Sequence, residues 1–446
     1  MTTEPPADAT VREARATALA LYNAAVASAH PDVCLPPHLP PVPEGGRLIV
    51  AGAGKAAAAM AAAAERHYRE RGELDRVAGL TTAPHGTAEA LPGVRPQVIR
   101  VLSARHPTPD ANSVEAAQRT LTLLRGTTND DRVLVLLSGG ASALWAAPAP
   151  GLDLAGKVAL TRGLLKSGAD IHEMNTVRRH ISRIKGGRLR RATPAHMLTL
   201  AISDVPGDDP ATIGSGPTVA DPTTLAEARG VLNRHLPRMR ALGLDVAPGL
   251  TGILGDPANE TPKPDDPAFA GAEFRIVATP AAALDAAAAL ARRKGYEVVN
   301  LRDAVIGEAR LVAEAHARLA REAKAAGRRV AILSGGELSV TVRNAGGRGG
   351  RCQEYALALA LALNRLAGVT ALAADTDGID GGEGAVTDPA GAIVDPGTLA
   401  GGRHDAAQKA LDNSDSTTFF EAAGGLIVRG PTHTNVNDFR VILVEP

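Results

Sequence analysis

Leu48-Ile49-Val50-Ala51-Gly52-Ala53-Gly54-Lys55 joins an apolar run to two closely spaced glycines and a lysine, and an Ala-rich stretch follows from Ala56. An unbroken apolar run of this length suits a strand buried on both faces, so the stretch predicts a strand, a tight turn and the start of a helix. Glycine lets the backbone approach an anion, and a helix N-terminus offers N–H groups with partial positive charge, to which Lys55 adds a full charge. The stretch is not a P-loop, because that pattern needs a glycine where Ile49 stands and a Ser or Thr where Ala56 stands. It does satisfy the dinucleotide pattern G-x-G-x-x-A through Gly52, Gly54 and Ala57. A nicotinamide site also wants a carboxylate near the end of the next strand, and residues 77–82 end in threonines instead.

The same grammar of apolar run, Gly turn and helical pattern recurs along the chain. It predicts strands at 47–51, 98–103, 132–137, 197–202, 274–278, 297–301, 329–333 and 369–373, and a helix over 9–29 that Pro31 ends. The expected fold class is α/β: two α/β domains with open, mainly parallel sheets flanked by helices. Prolines at 36, 37, 40, 41 and 43 make a stiff connector, and the Pro- and Asp-rich segment from Leu244 to Pro267, Pro248 included, reads as a linker or surface crossing. The boundary is therefore set at 1–262 for a Rossmann-like N-terminal domain and 263–446 for the second. Residues 133–140 (VLVLLSGG) and 330–336 (VAILSGG) both run from a strand into Ser-Gly-Gly, so two anion-friendly turns are expected to face one interdomain cleft.

Composition narrows the function classes. Among 446 residues, 48 Lys plus Arg balance 48 Asp plus Glu, and aromatics are 2%, which argues against a polyanion-coating protein and against base-stacking platforms. No nucleic-acid partner is expected. Cys34 and Cys352 cannot make a disulfide framework, and the longest apolar runs, 56–64 and 355–363, fall short of the ~20 residues of a membrane span. With Glu4 and Asp8 at the start and no signal pattern there, a soluble cytoplasmic protein without a membrane partner is expected.

Four further clusters carry chemistry. Residues 175–191 (NTVRRHISRIKGGRLRR) hold eight basic side chains counting His180; on a continuous helix Arg179, Arg183 and Gly186 share a face, and Lys185-Gly186-Gly187 adds a turn where charge and backbone meet a phosphate. Ser203-Asp204-Val205-Pro206-Gly207-Asp208-Asp209 gathers carboxylates just past a strand, where a cation would relieve their repulsion. Ser334-Gly335-Gly336-Glu337 is followed by the glycine- and arginine-rich loop 346–351, which feeds Cys352-Gln353-Glu354 and a helical run. Guanidinium groups there suit phosphoryl or carboxylate binding. Asp375-Thr376-Asp377-Gly378-Ile379-Asp380 again sets carboxylates after a strand, without the ligand count of an EF-hand.

In order, Gly52–Lys55, Ser138-Gly139-Gly140-Ala141-Ser142, Asn175–His180, Lys185–Leu189, Ser203–Asp208, Gly350–Glu354, Thr376–Gly381 and Thr434-Asn435-Val436-Asn437-Asp438 resemble the glycerate 2-kinase family, whose C-terminal half is called the MOFRL domain. The resemblance spans nearly the whole chain. It implies an enzyme with its active site in an interdomain cleft, transferring the γ-phosphoryl group of ATP to the 2-hydroxyl of D-glycerate with Mg²⁺, and leaves a homodimer open. It implies Lys55 and Arg351 as the catalytic pair, with Asp204 beside them. Substrate and nucleotide contacts then fall to Gly52, Gly54, Ser138, Gly139, Gly140, Ser142, Arg179, Lys185, Gly186, Gly336, Glu337, Gln353, Glu354, Asn435 and Asn437, and Mg²⁺ to Asp204, Asp208 and Asp377. The chain departs from the family's pattern at Ala141, at Cys352 (Asn in the family) and at His433 (Gly in the family); Cys352 is expected to be a packed small residue. Competing classes are an NAD(P)H-dependent hydroxypyruvate reductase, a kinase of a related 2-hydroxy acid, and a non-catalytic anion-binding protein.

Overall fold

The computed structural model describes residues 9–244, 249–382 and 384–446; Glu4, Asp8 and Pro248 lie outside them. The chain divides into two compact units, one of residues 34–277 and the other joining the segment up to Val33 with 278–446.

The 34–277 unit is built on β1 (Leu48–Ala53), β2 (Val77–Pro84), β3 (Ile99–Ala104), β4 (Arg132–Leu137), β5 (His196–Ile202) and β6 (Ala272–Ala278), in the order β3-β2-β1-β4-β5-β6. The pairings from β3 through to β5 are parallel. Parallel neighbours need crossovers, and crossover helices cover the faces, which is why β1 is buried at every residue and β4 at all but its first. Helix Ala57–Glu70 begins with a run of alanines, all buried, whose small side chains let it lie close to the sheet. Capping boxes start helix Ala111–Arg125 at Asp110, helix Ile171–His180 at Asp170 and helix Leu225–Ala241 at Thr224. The latter two and helix Leu154–Lys166 enclose a second core with Leu160, Val177 and Leu232, joined by Leu250 and Leu254 of the Pro-rich segment. That segment is thus a packed crossing that delivers the chain to β6.

Strand order reverses at β1: the chain runs outward to β2 and β3, then returns to β4 on the other side and continues to β5. Ligands of open α/β sheets bind outside the carboxyl ends of strands at such a reversal. Here those ends are Gly54-Lys55 and Ser138-Gly139-Gly140, and β5 ends beside them at Ser203-Asp204.

The other unit holds β7 (Glu297–Asn300), β8 (Gly307–Glu308), β9 (Val330–Ser334), β10 (Leu338–Ser339), β11 (Val369–Asp375), β12 (Gly391–Val394), β13 (Leu426–Ile427) and β14 (Asp438–Val444). Strands β8 and β10 pair alone; the main sheet runs β13-β12-β11-β14-β9-β7. This sheet departs from the mainly parallel expectation. Only β7·β9 is parallel, joined through helix Ala309–Ala325, whereas β11·β12, β12·β13, β11·β14 and β14·β9 are antiparallel. Among the described residues no helix separates β11 from β12, so no parallel crossover is available to them. Ala371, Ala373, Ile332, Ile442 and Val444 face helices Ala309–Ala325 and Arg351–Leu363.

Helix Ala9–Ser28 packs on the opposite face with helix Pro280–Arg293. Tyr22 lies 5.9 Å from Phe439 ring to ring and donates to the Asp375 carbonyl at 2.8 Å, Thr434 Oγ1 donates to the Ala29 carbonyl at 2.7 Å, and Arg15 pairs with Asp395 at 2.5 Å. The first helix therefore sits with the C-terminal unit, and residues 263–277 sit with the N-terminal one, unlike the 262/263 division drawn from the prolines.

Glu65, fully buried on helix Ala57–Glu70, fixes the approach to β3: its carboxylate accepts the N–H groups of Gln97, Val98 and Ile99 at 2.9–3.0 Å and pairs with Arg69. Glu65→Ala leaves these donors unpaired and is expected to lower stability by about 3 kcal/mol or more in denaturant unfolding, with Glu65→Gln intermediate.

Candidate active site

The turn after β1 is locked onto the turn after β4. Gly54 has φ +142°, and a Cβ there would fall onto Ser138 Oγ. A Cβ on Gly52 would lie 2.7 Å from the Leu136 carbonyl. Both glycines are thus required by the neighbouring strand rather than by a pyrophosphate. Lys55 N donates to the Gly139 carbonyl at 2.8 Å, Ala56 N to Ser138 Oγ at 2.9 Å, and Ser138 N to the Ala53 carbonyl at 3.2 Å. The Ser138 N–H is therefore engaged inside the turn, where its hydroxyl also accepts. Gly140, at φ +84°, would place a Cβ 3.4 Å from Lys55 Cγ and 2.9 Å from the His106 ring, so the lysine stem lies along this glycine.

Beside this turn two basic side chains hold Ser142, and a third, Lys157, lies near both of them. Lys185 Nζ donates to Ser142 Oγ (2.9 Å), to the Ser142 carbonyl (2.8 Å) and to the Trp145 carbonyl (3.3 Å); Arg178 donates to Ser142 Oγ at 2.5 Å. Lys157 is 3% exposed and Lys185 1%. Burial, reinforced by Arg178, pulls Lys157 down to about 8, and burial with Lys157 and Arg178 pulls Lys185 well below the usual lysine range. Sequence reasoning had Lys185 and Ser142 but not Lys157, whose one signal is its place in the apolar stripe Lys157, Leu160, Leu164.

The rest of the basic run is committed internally. Its helix ends at His180, because residues 181–183 turn back to bond the 147–149 segment, so Arg183 and Gly186 do not share a helical face with Arg179. Arg179 pairs with Asp221 at 3.0 Å and donates to the Ala211 carbonyl at 2.7 Å. Gly186, at φ +56°, packs against Thr261, Arg179 and Asp221, and its N–H bonds the Ser215 carbonyl at 3.1 Å. After β5, Asp209 caps its own turn through Ala211 N and Thr212, while Asp208 has φ +54° and a buried Oδ1 without a hydrogen-bond partner. An acceptor oxygen left so suits a cation. Among the described residues no three His, Cys, Asp or Glu side chains are grouped to hold a metal.

In the other unit the site centres on Arg351, the first residue of helix Arg351–Leu363. Its guanidinium donates to Asp438 Oδ1 and Asp375 Oδ2, each at 2.8 Å, and lies 3.4 Å from Glu337. Burial opposes its charge, but Asp438 and Asp375 outweigh burial and raise it above the usual arginine value. Asp438 is shared with Arg440 at 3.0 Å, and Arg440 reaches Ser334 Oγ and the Gly335 carbonyl at the end of β9. Gly336 has φ +95° and is pressed against Val305. Asp380 caps the helix from outside, accepting Cys352 N at 3.0 Å and Gln353 N at 2.8 Å; burial pushes its carboxyl up to about 6.

Gln353 also binds Asp380 and Thr417, and Glu354 pairs with Arg310 at 2.6 Å, so both brace the helix. Cys352 is fully buried in the core, with burial pushing its thiol well up. Asn437, at φ +69°, accepts Asp438 N at 3.0 Å, Asn435 accepts Asn437 N at 3.3 Å, and Asp377 accepts Ile379 N at 2.8 Å.

A family model described as a domain of unknown function (DUF4147) matches residues 17–241, and the MOFRL family model matches residues 330–438. A glycerate 2-kinase of Pyrococcus horikoshii is 35% identical over 90% of this chain and 88% of its own. The crystal structure of a glycerate kinase from Thermotoga maritima aligns with a TM-score of 0.81 at 32% identity, covering 97% of this chain and 100% of that one. The chain belongs to the glycerate kinase family. A protein of Agrobacterium vitis provisionally named a hydroxypyruvate reductase is 46% identical over 95% of this chain and 93% of its own, so that name attaches to relatives of the glycerate kinases as well.

In this glycerate kinase relative, Lys157 is held charged against its surroundings, which fixes a sign. Its proton is bound less tightly in the folded chain, at about 8, than at the ordinary 10.5 of the unfolded chain. Charging it opposes folding fully below pH 8, and the opposition fades toward pH 10.5. Lys157→Met is therefore expected to raise the denaturant midpoint at pH 7, with the gain over the parent shrinking by pH 10.

Proposed function

We propose that the chain is a glycerate 2-kinase, transferring the γ-phosphoryl group of ATP to the 2-hydroxyl of D-glycerate to give 2-phosphoglycerate and ADP. The observation that carries this reading is the likeness to glycerate kinases over both units together, not over one motif or one domain. Phosphoryl transfer passes through a loose transition state with charge spread over three equatorial oxygens, so fixed cations and correct positioning supply most of the rate.

We assign those cations to Lys55 and Arg351, one from each unit. The backbone of Lys55 is clamped to Gly139, so its ammonium starts from a rigid base at the β1–β4 reversal. Arg351 cannot lose its charge, and its carboxylate partners orient the guanidinium while Glu337, exposed, is the partner most readily exchanged for substrate oxygens. Gly139 and Gly140 offer main-chain N–H groups beside Lys55. Of the carboxylates expected at the metal, Asp208 with its orphaned oxygen is the one that would hold Mg²⁺ beside the substrate oxygens. When bound, the metal neutralises charge on the transferring phosphates.

The reductase reading has less support: Gly52 and Gly54 are consumed by packing against β4, and β2 ends in Thr81-Thr82-Ala83-Pro84 with no carboxylate for a ribose. Phosphorus NMR of D-glycerate, MgATP and the full chain should show phosphate on oxygen 2 of the product. Phosphate on oxygen 3, or none together with NADH oxidation by hydroxypyruvate, would overturn the assignment. Arg351→Ala is expected to lower kcat by roughly 10³- to 10⁵-fold; Arg351→Lys, which keeps a cation beside Asp438 and Asp375, should retain the fold by circular dichroism and still lose most of the rate.

A further inference from the structure

Buried cations are normally paired, because an uncompensated charge away from water is costly. Buried Lys157 and Lys185, with half-buried Arg178 between them, break this rule together. Among the described residues no carboxylate contributes to the charge balance of any of them, and each is pulled down by burial. In the place where a carboxylate would be expected stands the neutral hydroxyl of Ser142. It accepts from Lys185 and from Arg178, and its own proton can pass only to Ser215 Oγ at 2.9 Å, which in turn donates to Asn175 at 3.3 Å. The hydroxyl satisfies two donors without cancelling their charge. Arg178 Nε is also buried without a hydrogen-bond partner.

Lys157 and Arg178 reach an open space, while Lys185 stays behind them, fully buried. A cavity of about 240 Å³ is lined by Lys157, Arg162 and Arg178 with Thr108, Ala143 and Thr161, and no acidic side chain lines it. That is below the ~300 Å³ at which sites for drug-sized ligands begin, and so suits a small acid or one phosphate group better than a whole nucleotide. The cavity adjoins the turn that carries Lys55: Pro107 and Thr108 form its wall, and the preceding residue, His106, lies against Gly140.

We propose that Lys157 and Arg178, which line this cavity, with Lys185 behind them on Ser142, form a subsite for a single oxyanion group, a carboxylate or a phosphate, of the ligand that enters it. The subsite rests on the kinase reading only for the source of that anion: the carboxylate of the acceptor acid or a phosphate of the nucleotide. Ammonium and guanidinium side by side match either group, and a bound anion restores the neutrality that Ser142 cannot supply.

Calorimetric titration of the full chain, its Lys157→Met variant and its Lys157→Arg variant with D-glycerate and with inorganic pyrophosphate tests the subsite without turnover. One of the two probes should bind Lys157→Met roughly 10- to 100-fold more weakly than the parent, the loss expected for one charged hydrogen bond, and Lys157→Arg should recover most of it. A selective loss for D-glycerate identifies the acceptor carboxylate as the occupant, and a selective loss for pyrophosphate identifies a nucleotide phosphate. Equal binding of both probes by parent and Lys157→Met, or no binding to the parent, overturns the subsite. A chain that binds as expected yet makes no 2-phosphoglycerate would sink the kinase reading and leave the subsite standing.

Discussion

Residue 54 has no room for a side chain. Ser138 Oγ occupies the volume that a Cβ would take, and the same hydroxyl receives Ala56 N, so the turns after β1 and β4 close on each other as one rigid piece. The base of the ammonium at 55, the glycine along which its stem runs and the helix that starts at residue 57 are all placed by that closure. A flexible glycine loop would give the lysine freedom; this one removes it, which is what preorganised electrostatic stabilisation requires.

Much of the first sheet is legible in the chain because its strands are continuous apolar runs, a pattern that only burial on both faces explains. The second sheet is less so. β12 is four residues long and β14 begins with Asp438 and carries Arg440, charges that disguise a central strand until their partners Arg351, Ser334 and Gly335 are known. The allegiance of helix Ala9–Ser28 is illegible for a different reason: its ties to Phe439, Asp375 and Thr434 span almost the full length of the sequence, and no local pattern encodes them.

Among the charged residues, spacing misleads where the backbone departs from a regular element. The basic run reads as one helix face, yet the helix stops at His180, and Arg179 then serves Asp221. Gln353 and Glu354 stand in a motif that looks like ligand contact but brace their helix against Asp380 and Arg310. Lys157, by contrast, is inconspicuous in sequence and unusual in structure. The difference lies in desolvation, which depends on what folds over a residue and not on its neighbours in the chain.

The packing of helix Ala9–Ser28 against β14 also orders events during synthesis. The helix leaves the ribosome before residues 34–277, while the elements that cover its apolar face, helix Pro280–Arg293, β11 and β14, follow them. At roughly 5–20 residues per second the intervening chain takes some tens of seconds to appear. Residues 34–277 can complete their own sheet in that interval, while Leu21, Tyr22 and Ala25 wait for helix Pro280–Arg293, then β11 and at last β14, so this helix is where a chaperone has the longest opportunity to bind.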